Sequence, residues 1–235
     1  MFAKTNKRNL KLKVMYDTSA ESPIERSYDE GIVGNFICWH SRYSLGHSHN
    51  FESPTDLFEK LANEYASEEF ESIKEEMEED KISYDKYEEK LKELVYDIND
   101  IYILPLFLYD HSGITINTIG FSCPWDSGQV GYVYTTKDTL NEIGVRYNSH
   151  IDVENRLKEE VKVYDEYLRG NVYGFCIVEY DEETEEELDE VDSCWGFYGD
   201  DMYENGMIEN MCITDKEKEE ILIHGTDAYK YLVNY

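Results

Sequence analysis

Between Glu52 and Asp100 the chain carries 18 acidic residues against six lysines, yet its large apolar residues return at helical spacing. Leu57, Phe58, Leu61 and Tyr65 fall on one side of a helix, then Phe70, Ile73 and Met77, then Tyr84, Tyr87, Leu91, Leu94 and Ile98. A stretch this charged can bury only a stripe, so the pattern demands amphipathic helices with their carboxylates turned outward. Ser53-Pro54-Thr55-Asp56 marks the start. Serine caps, proline is preset for the first helical position, and an early carboxylate complements the helix dipole. The spacing predicts an acidic helical block over 54–98.

The flanking segments read as strands. Leu10, Leu12 and Val14 alternate with lysines, and apolar runs cover 34–40, 101–109, 114–119, 130–135, 172–180 and 193–198. Pro105 removes a ladder donor from the 101–109 run and marks a bulge or an edge. Val153, Leu157, Val161, Tyr164 and Leu168 predict one further long helix over about 152–169, stopped by Gly170. Strands, helices, strands, one helix and strands again predict an α+β fold with a largely antiparallel sheet. The expectation is a single domain over 1–235 with 54–98 inserted in it, large enough to bury a core without disulfides or metal.

A net charge of −30 and a pI near 4.4 argue against direct nucleic-acid binding, which draws its affinity from Lys and Arg on phosphates. The expected partner is instead a basic surface, such as the nucleic-acid groove of another protein. Five cysteines without a CxxC pair fit reduced thiols. Lys4, Lys7, Arg8, Lys11 and Lys13 precede no apolar signal region, and no window is long enough for a membrane span. A soluble, cytoplasmic protein with no cofactor is expected.

The run FSCPWDSGQVGYVY, residues 121–134, raises the question of chemistry. As a turn, it places Trp125 on a small hydrophobic cluster and Asp126 on nearby backbone amides. As a reactive centre, it makes Cys123 a nucleophile with His111 as its base and Asp126 beside them. The turn is preferred, because single cysteines are commonly structural. His40, His47 and His49 lie within ten residues, and His40, His49, Asp110 and His111 form an alternative metal set, although no zinc spacing is present. GNVYGF and CWGFYG mix glycine with aromatics and predict a helix stop, close strand approach and core filling.

EEFESIKEEMEED, residues 68–80, has more carboxylate than its lysines can pair. Carboxylates four apart on a helix stand about 6 Å apart, comparable to the roughly 7 Å between phosphates along one strand. Glu68, Glu69, Glu71, Glu75, Glu76, Glu78, Glu79 and Asp80 therefore form the first candidate contact surface. The run DEETEEELDE, read as a mobile acidic loop with Glu182, Glu183, Glu185, Glu186 and Glu187, is the second.

WHSRYSLGHSHNFESP, LYDHSGITINTIGFSCPWDSGQVGYVYTTKD, YDEYLRGNVYGF and DSCWGFYG together are similar to a family of bacteriophage, prophage and plasmid proteins. Its members share RYxLGxxHN, YDHSG, CPWDSGQVG, YDxYLxGxVYGF and DSCWGFYG blocks, and the resemblance spans most of 34–199. His47 stands where relatives have Asp, whereas His49, His111, Cys123 and Asp126 match. The resemblance implies an accessory protein of mobile DNA in a bacterial host, a setting in which host defences are often blunted. With the charge, it leads to an expected anti-CRISPR or antirestriction inhibitor with a nucleic-acid-like negative surface. The alternative is a thiol/imidazole enzyme or a small-ligand module for a nucleotide-like signal, centred on Cys123, His111 and His49. A virion or replication accessory factor is the third expectation.

Overall fold

A computed structural model describes residues 9–25 and 32–225. Lys4, Lys7 and Arg8 lie outside them. In chain order the elements are β1 (Leu10–Tyr16), a 3-10 turn at Pro23–Glu25, β2 (Asn35–Cys38), α1 (Pro54–Tyr65), α2 (Ser67–Glu78) and α3 (Tyr84–Asp97). Then come β3 (Ile101–Asp110), β4 (Ile114–Asn117), β5 (Ser127–Thr136), α4 (Lys137–Glu142) and α5 (His150–Leu168). The chain continues through β6 (Val172–Tyr180), β7 (Glu187–Tyr198), α6 (Met207–Asn210) and α7 (Asp215–Gly225). The fold is α+β, with both sheets antiparallel. The expected helical block resolves into α1, α2 and α3, and the further helix is α5.

Two sheets stand where one was expected, and the chain divides into two compact units. The unit Pro23–Asp165 holds the four-stranded sheet β2-β5-β3-β4. Strand alternation sends Ile37, Tyr132 and Tyr134 to the face covered by Leu57, Phe58, Leu61, Tyr87 and Leu91 of the helical block. Phe36 and Val133 turn to the other face, where Phe36 meets Tyr164 of α5 edge-on at 5.3 Å. Coverage on both faces explains why β5 is buried without interruption from Val130 to Thr136. Ser53 caps α1 by accepting the Asp56 amide, as its sequence predicts.

Pro105 satisfies both expectations made of it. β4 pairs only with Phe107–Asp110, so at Pro105 strand β3 has a neighbour on one side alone. The register then shifts between Leu106 and Phe107, leaving Val130 as the extra residue of a bulge on β5. One residue further, β5 runs close against β2: a Cβ on Gly131 would stand 2.0 Å from the Ile37 carbonyl oxygen. No side chain larger than hydrogen fits there.

The other unit, residues 9–22 and 166–225 as described, holds the sheet β1-β6-β7. Leu12, Val14, Phe175, Ile177 and Phe197 form one face of its core, joined by Met202, Met207, Met211 and Ile221. On the opposite face the two glycine–aromatic motifs meet. The Trp195 ring lies on Gly174, where an added Cβ would come within 2.1 Å of it. Close approach and aromatic filling were the roles expected of both motifs. The short helices α4 and α6 and the acidic helix α7 are additions to the elements read from the sequence.

Candidate functional site

Helix α2 has a single buried residue, Phe70, with Ile73 and Met77 packed partly beneath it. The remaining circumference is acidic. Glu68, Glu69, Glu71, Glu75, Glu78, Glu79 and Asp80 are exposed and Glu76 is half-buried. Glu76 pairs with Lys90 of α3, and Glu79 with Lys81. Among the described residues, Glu68, Glu69, Glu71, Glu75, Glu78 and Asp80 form no ion pair. Glu68 and Glu69 sit in the first turn, where the dipole favours them, but Glu75, Glu76 and Glu78 crowd the last turn, where no basic residue stands. Packing of Phe70 thus holds a helix whose C-terminal charges oppose it.

The second acidic run is built differently. It was expected to be a mobile loop, but Glu187–Glu190 already belong to β7, and 181–186 close a hairpin with β6. Asp181 orders the turn: its Oδ1 accepts the Glu183 and Thr184 amides, each at 2.9 Å, and its amide donates to the Glu186 carbonyl at 2.9 Å. Those amides hold its carboxyl below the usual aspartate range. Glu185 takes a positive φ of 58° to complete the turn. Glu187 pairs with Lys13 of β1, and the Glu190 carboxylate faces the Cys176 thiol at 3.5 Å. Glu182, Glu183, Glu185 and Glu186 are exposed. The sheet ladder, which continues to Tyr180 opposite Glu187, is what orders the run.

The CPWDSG stretch forms the approach to β5. The Ser127 hydroxyl donates to the Cys123 carbonyl, and the Asp110 amide to the Asp126 carbonyl at 2.8 Å. Two expectations made of it are corrected. Trp125 is 91% exposed and caps no hydrophobic cluster; Tyr109 and Phe121 pack together instead, ring centres 5.5 Å apart. The Asp126 carboxylate faces the Cys123 thiol at 3.7 Å and His111 Nδ1 at 3.5 Å, in place of turn amides. The β3–β5 ladder takes the Asp126 backbone and leaves its side chain free to turn outward. Cys123, Asp126 and His111 are therefore brought together, with the carboxylate as the group that faces both others. The thiol's hydrogen-bond partner is thus the Asp126 carboxylate and not the imidazole that would serve as its base.

The histidines are distributed among local tasks. His40 Nδ1 accepts the Arg42 and Tyr43 amides at 3.3 and 3.2 Å, and its ring stacks on Tyr43. Tyr43 and Arg42 both donate to the Asp110 carboxylate. His47 bridges the Phe36 amide and the Ile24 carbonyl. His49 Nε2 meets the Cys38 carbonyl at 3.0 Å, away from this network. Among the described residues no three His, Cys, Asp or Glu side chains gather as a metal site, so His40, His49, Asp110 and His111 do not make one ligand set.

One residue escaped the sequence reading. Glu160 is 2% exposed on α5, accepting the Val33 and Gly34 amides at 2.9 Å each and Arg156 Nε at 2.9 Å. Burial raises its pKa, while these donors pull the other way. It ties α5 to the entry of β2. Its signal was available: a glutamate three residues from Leu157 and four from Tyr164 lies near the apolar stripe, with Arg156 one turn before it.

No helix among the described residues is long and apolar enough to cross a membrane. Against known proteins, no family model, curated protein or solved structure matches the chain.

Proposed function

We propose that the protein is a non-enzymatic interaction protein that binds the basic groove of a host nucleic-acid-directed defence complex and inhibits it. The resemblance to proteins of phages and plasmids supplies the setting, and the charge of −30 supplies the sign of the partner. The observation that carries the proposal is the α2 region: Glu68, Glu69, Glu71, Glu75, Glu78 and Asp80 form no ion pair among the described residues, and Glu75 and Glu78 stand in the last turn, where the dipole disfavours them. A local rule broken at the surface is a mark of a functional site. Carboxylates repeating every turn on a rigid rod offer Lys and Arg of a groove the charge they otherwise find on phosphate.

The test is co-elution with purified host Cas or restriction nucleases on a sizing column over a salt series. A stable complex at low salt that weakens as salt rises, competes with the nuclease's nucleic acid and blocks cleavage supports the proposal. Full cleavage with no complex at any salt rejects it.

The proximity of Cys123, Asp126 and His111 favours a second reading, a small-ligand or thiol module at the open end of β3 and β5. Cys123→Ser separates the two: it abolishes turnover in such a module and leaves binding by α2 intact.

A further inference from the structure

Residues 111–125 form the longest run of the chain without Asp, Glu, Lys or Arg. The run leads from β3 through β4 towards β5, within the unit Pro23–Asp165. It carries the two most exposed large apolar side chains among the described residues, Ile119 at 88% and Trp125 at 91%. A single exposed apolar residue is ordinary on a soluble surface, but two on one uncharged segment make a patch.

Both side chains stand on built turns. Asn117 Oδ1 accepts the Ile119 amide at 3.0 Å and the Gly120 amide at 2.7 Å, and Gly120, at a positive φ of 84°, faces the Phe107 ring. Phe121 packs on Tyr109. The second turn is tied by the Ser127 hydroxyl on the Cys123 carbonyl and by the Asp110 amide on the Asp126 carbonyl. Phe107 and Tyr109 are two apart on β3 and share a face, so both turns are fastened to the last residues of that strand. At its exposure the Trp125 indole adds almost nothing to the packing of its own turn. An apolar anchor on a fixed backbone loses little conformational freedom when it is covered.

The charge of the chain decides what can cover this patch. A second copy carries the same −30, so over most of the surface two copies bring carboxylate against carboxylate. The run 111–125 is free of that conflict. At its border Asp110 is paired with Arg42, and Asp126 lies 3.5 Å from His111 Nδ1. Asp165 accepts the Thr115 hydroxyl at 2.6 Å and the Ile116 amide at 2.7 Å, which occupies that amide on the outer edge of β4. Contact is therefore by side chains and not by an added strand. A twofold interface needs no complementary pocket, because the same side chain meets itself across the axis, and an indole does so by offset stacking. We propose that residues 111–125 are the contact face of a homodimer, with Trp125 and Ile119 of one copy packed on those of the other. Two anchors fall short of the roughly 800 Å² per partner of a stable interface, so the dimer is weak and forms at high protein concentration. The face is separate from the α2 carboxylates and does not depend on their role.

The experiment is analytical ultracentrifugation of the reduced full chain over about 5–500 μM protein, at about 0.05 M and about 0.5 M NaCl. Reductant keeps a disulfide through Cys123 from counting as association. The expected result is a reversible dimer at high salt with a Kd of about 10–100 μM, at least about tenfold tighter than at low salt, because screening removes the repulsion between copies. Binding of α2 to a basic partner weakens with salt, so the sign of the dependence separates the two associations. Trp125→Ala and Ile119→Glu, both at exposed positions, should each weaken the dimer about tenfold or more, with an unchanged circular dichroism spectrum as the control for folding. Dimerisation should also shift tryptophan emission to the blue, and Trp125→Ala should lack that shift. A monomer at every concentration and salt, association that weakens as salt rises, or a dimer undiminished in both folded variants overturns the proposal. So does binding of the monomer to phosphatidylcholine vesicles through Trp125, which would give the face to a membrane. None of these outcomes bears on the nuclease co-elution test.

Discussion

Helix α2 and the β6–β7 hairpin both carry dense runs of carboxylates and use them differently. In the hairpin, four carboxylates serve the chain itself: Asp181 holds turn amides, Glu187 holds Lys13, Glu190 faces Cys176 and Ser193, and Asp192 accepts the Cys212 amide, while Glu182, Glu183, Glu185 and Glu186 form no ion pair among the described residues. In α2 only Glu76 and Glu79 are paired, and the backbone needs none of the others. A helix satisfies its own amides and carbonyls through its ladder, whereas a hairpin turn must recruit side chains for them. Acidic composition alone therefore does not identify a contact surface. What matters is how much of the charge the fold has already used and what carries the rest: in α2 it stands on a helix anchored by Phe70, in the hairpin on a turn.

The sharpest way to break this comparison is to reverse charge in each region separately. Glu68→Lys, Glu71→Lys, Glu75→Lys and Glu78→Lys together should reduce affinity for a basic partner by about a hundredfold or more at low salt. The matching set Glu182→Lys, Glu183→Lys, Glu185→Lys and Glu186→Lys should change it by less than about threefold. Binding measured against salt for both sets checks this, and equal losses would erase the distinction.

The next effect is on the scaffold of the face. Phe70 is 6% exposed and is the one buried residue of α2. Phe70→Ala should cost about 3 kcal/mol, and hydrogen exchange should show the loss of protection concentrated in α2, with α1 and α3 less affected. If α2 keeps its protection, its order has another source.

A smaller effect concerns pH. The amides of Thr184 and Glu183 lower the Asp181 pKa, so its contribution to the turn is present above the unfolded value and is lost as pH falls through the lower folded value. Carboxyl ¹³C NMR should show Asp181 titrating below an ordinary aspartate, with the hairpin amides changing at the same midpoint. Asp181→Asn should remove that midpoint.

The smallest effect is at the base of the hairpin. Burial first, then the Glu190 carboxylate, raises the Cys176 pKa. Cys176 should alkylate more slowly than exposed Cys212, and Glu190→Gln should speed it only a few-fold, because burial remains. Cys38, pushed up to about 12 by burial, should be slower still.

Much of this was legible in the residues. The helical block, α5, the strands and the cap at Ser53 follow from local periodicity and capping chemistry, which a window of sequence contains. The division into two sheets was not legible, because β1 pairs with β6 across more than 150 residues and no local pattern encodes that choice. The candidate site was legible in part: the α2 carboxylates were named from charge alone, but the order of the hairpin and the exposure of Trp125 were not.

By itself, then, the sequence determined the acidic helical block, α5 and most strands, the surplus of negative charge and the stripe on which α2 rests, since each is a property of neighbouring residues. Tertiary structure alone decided which carboxylates stay without partners and that Cys123, Asp126 and His111 share one end of a sheet. Those outcomes depend on groups distant in the chain arriving within hydrogen-bond range, and such contacts are fixed only when the whole core is packed.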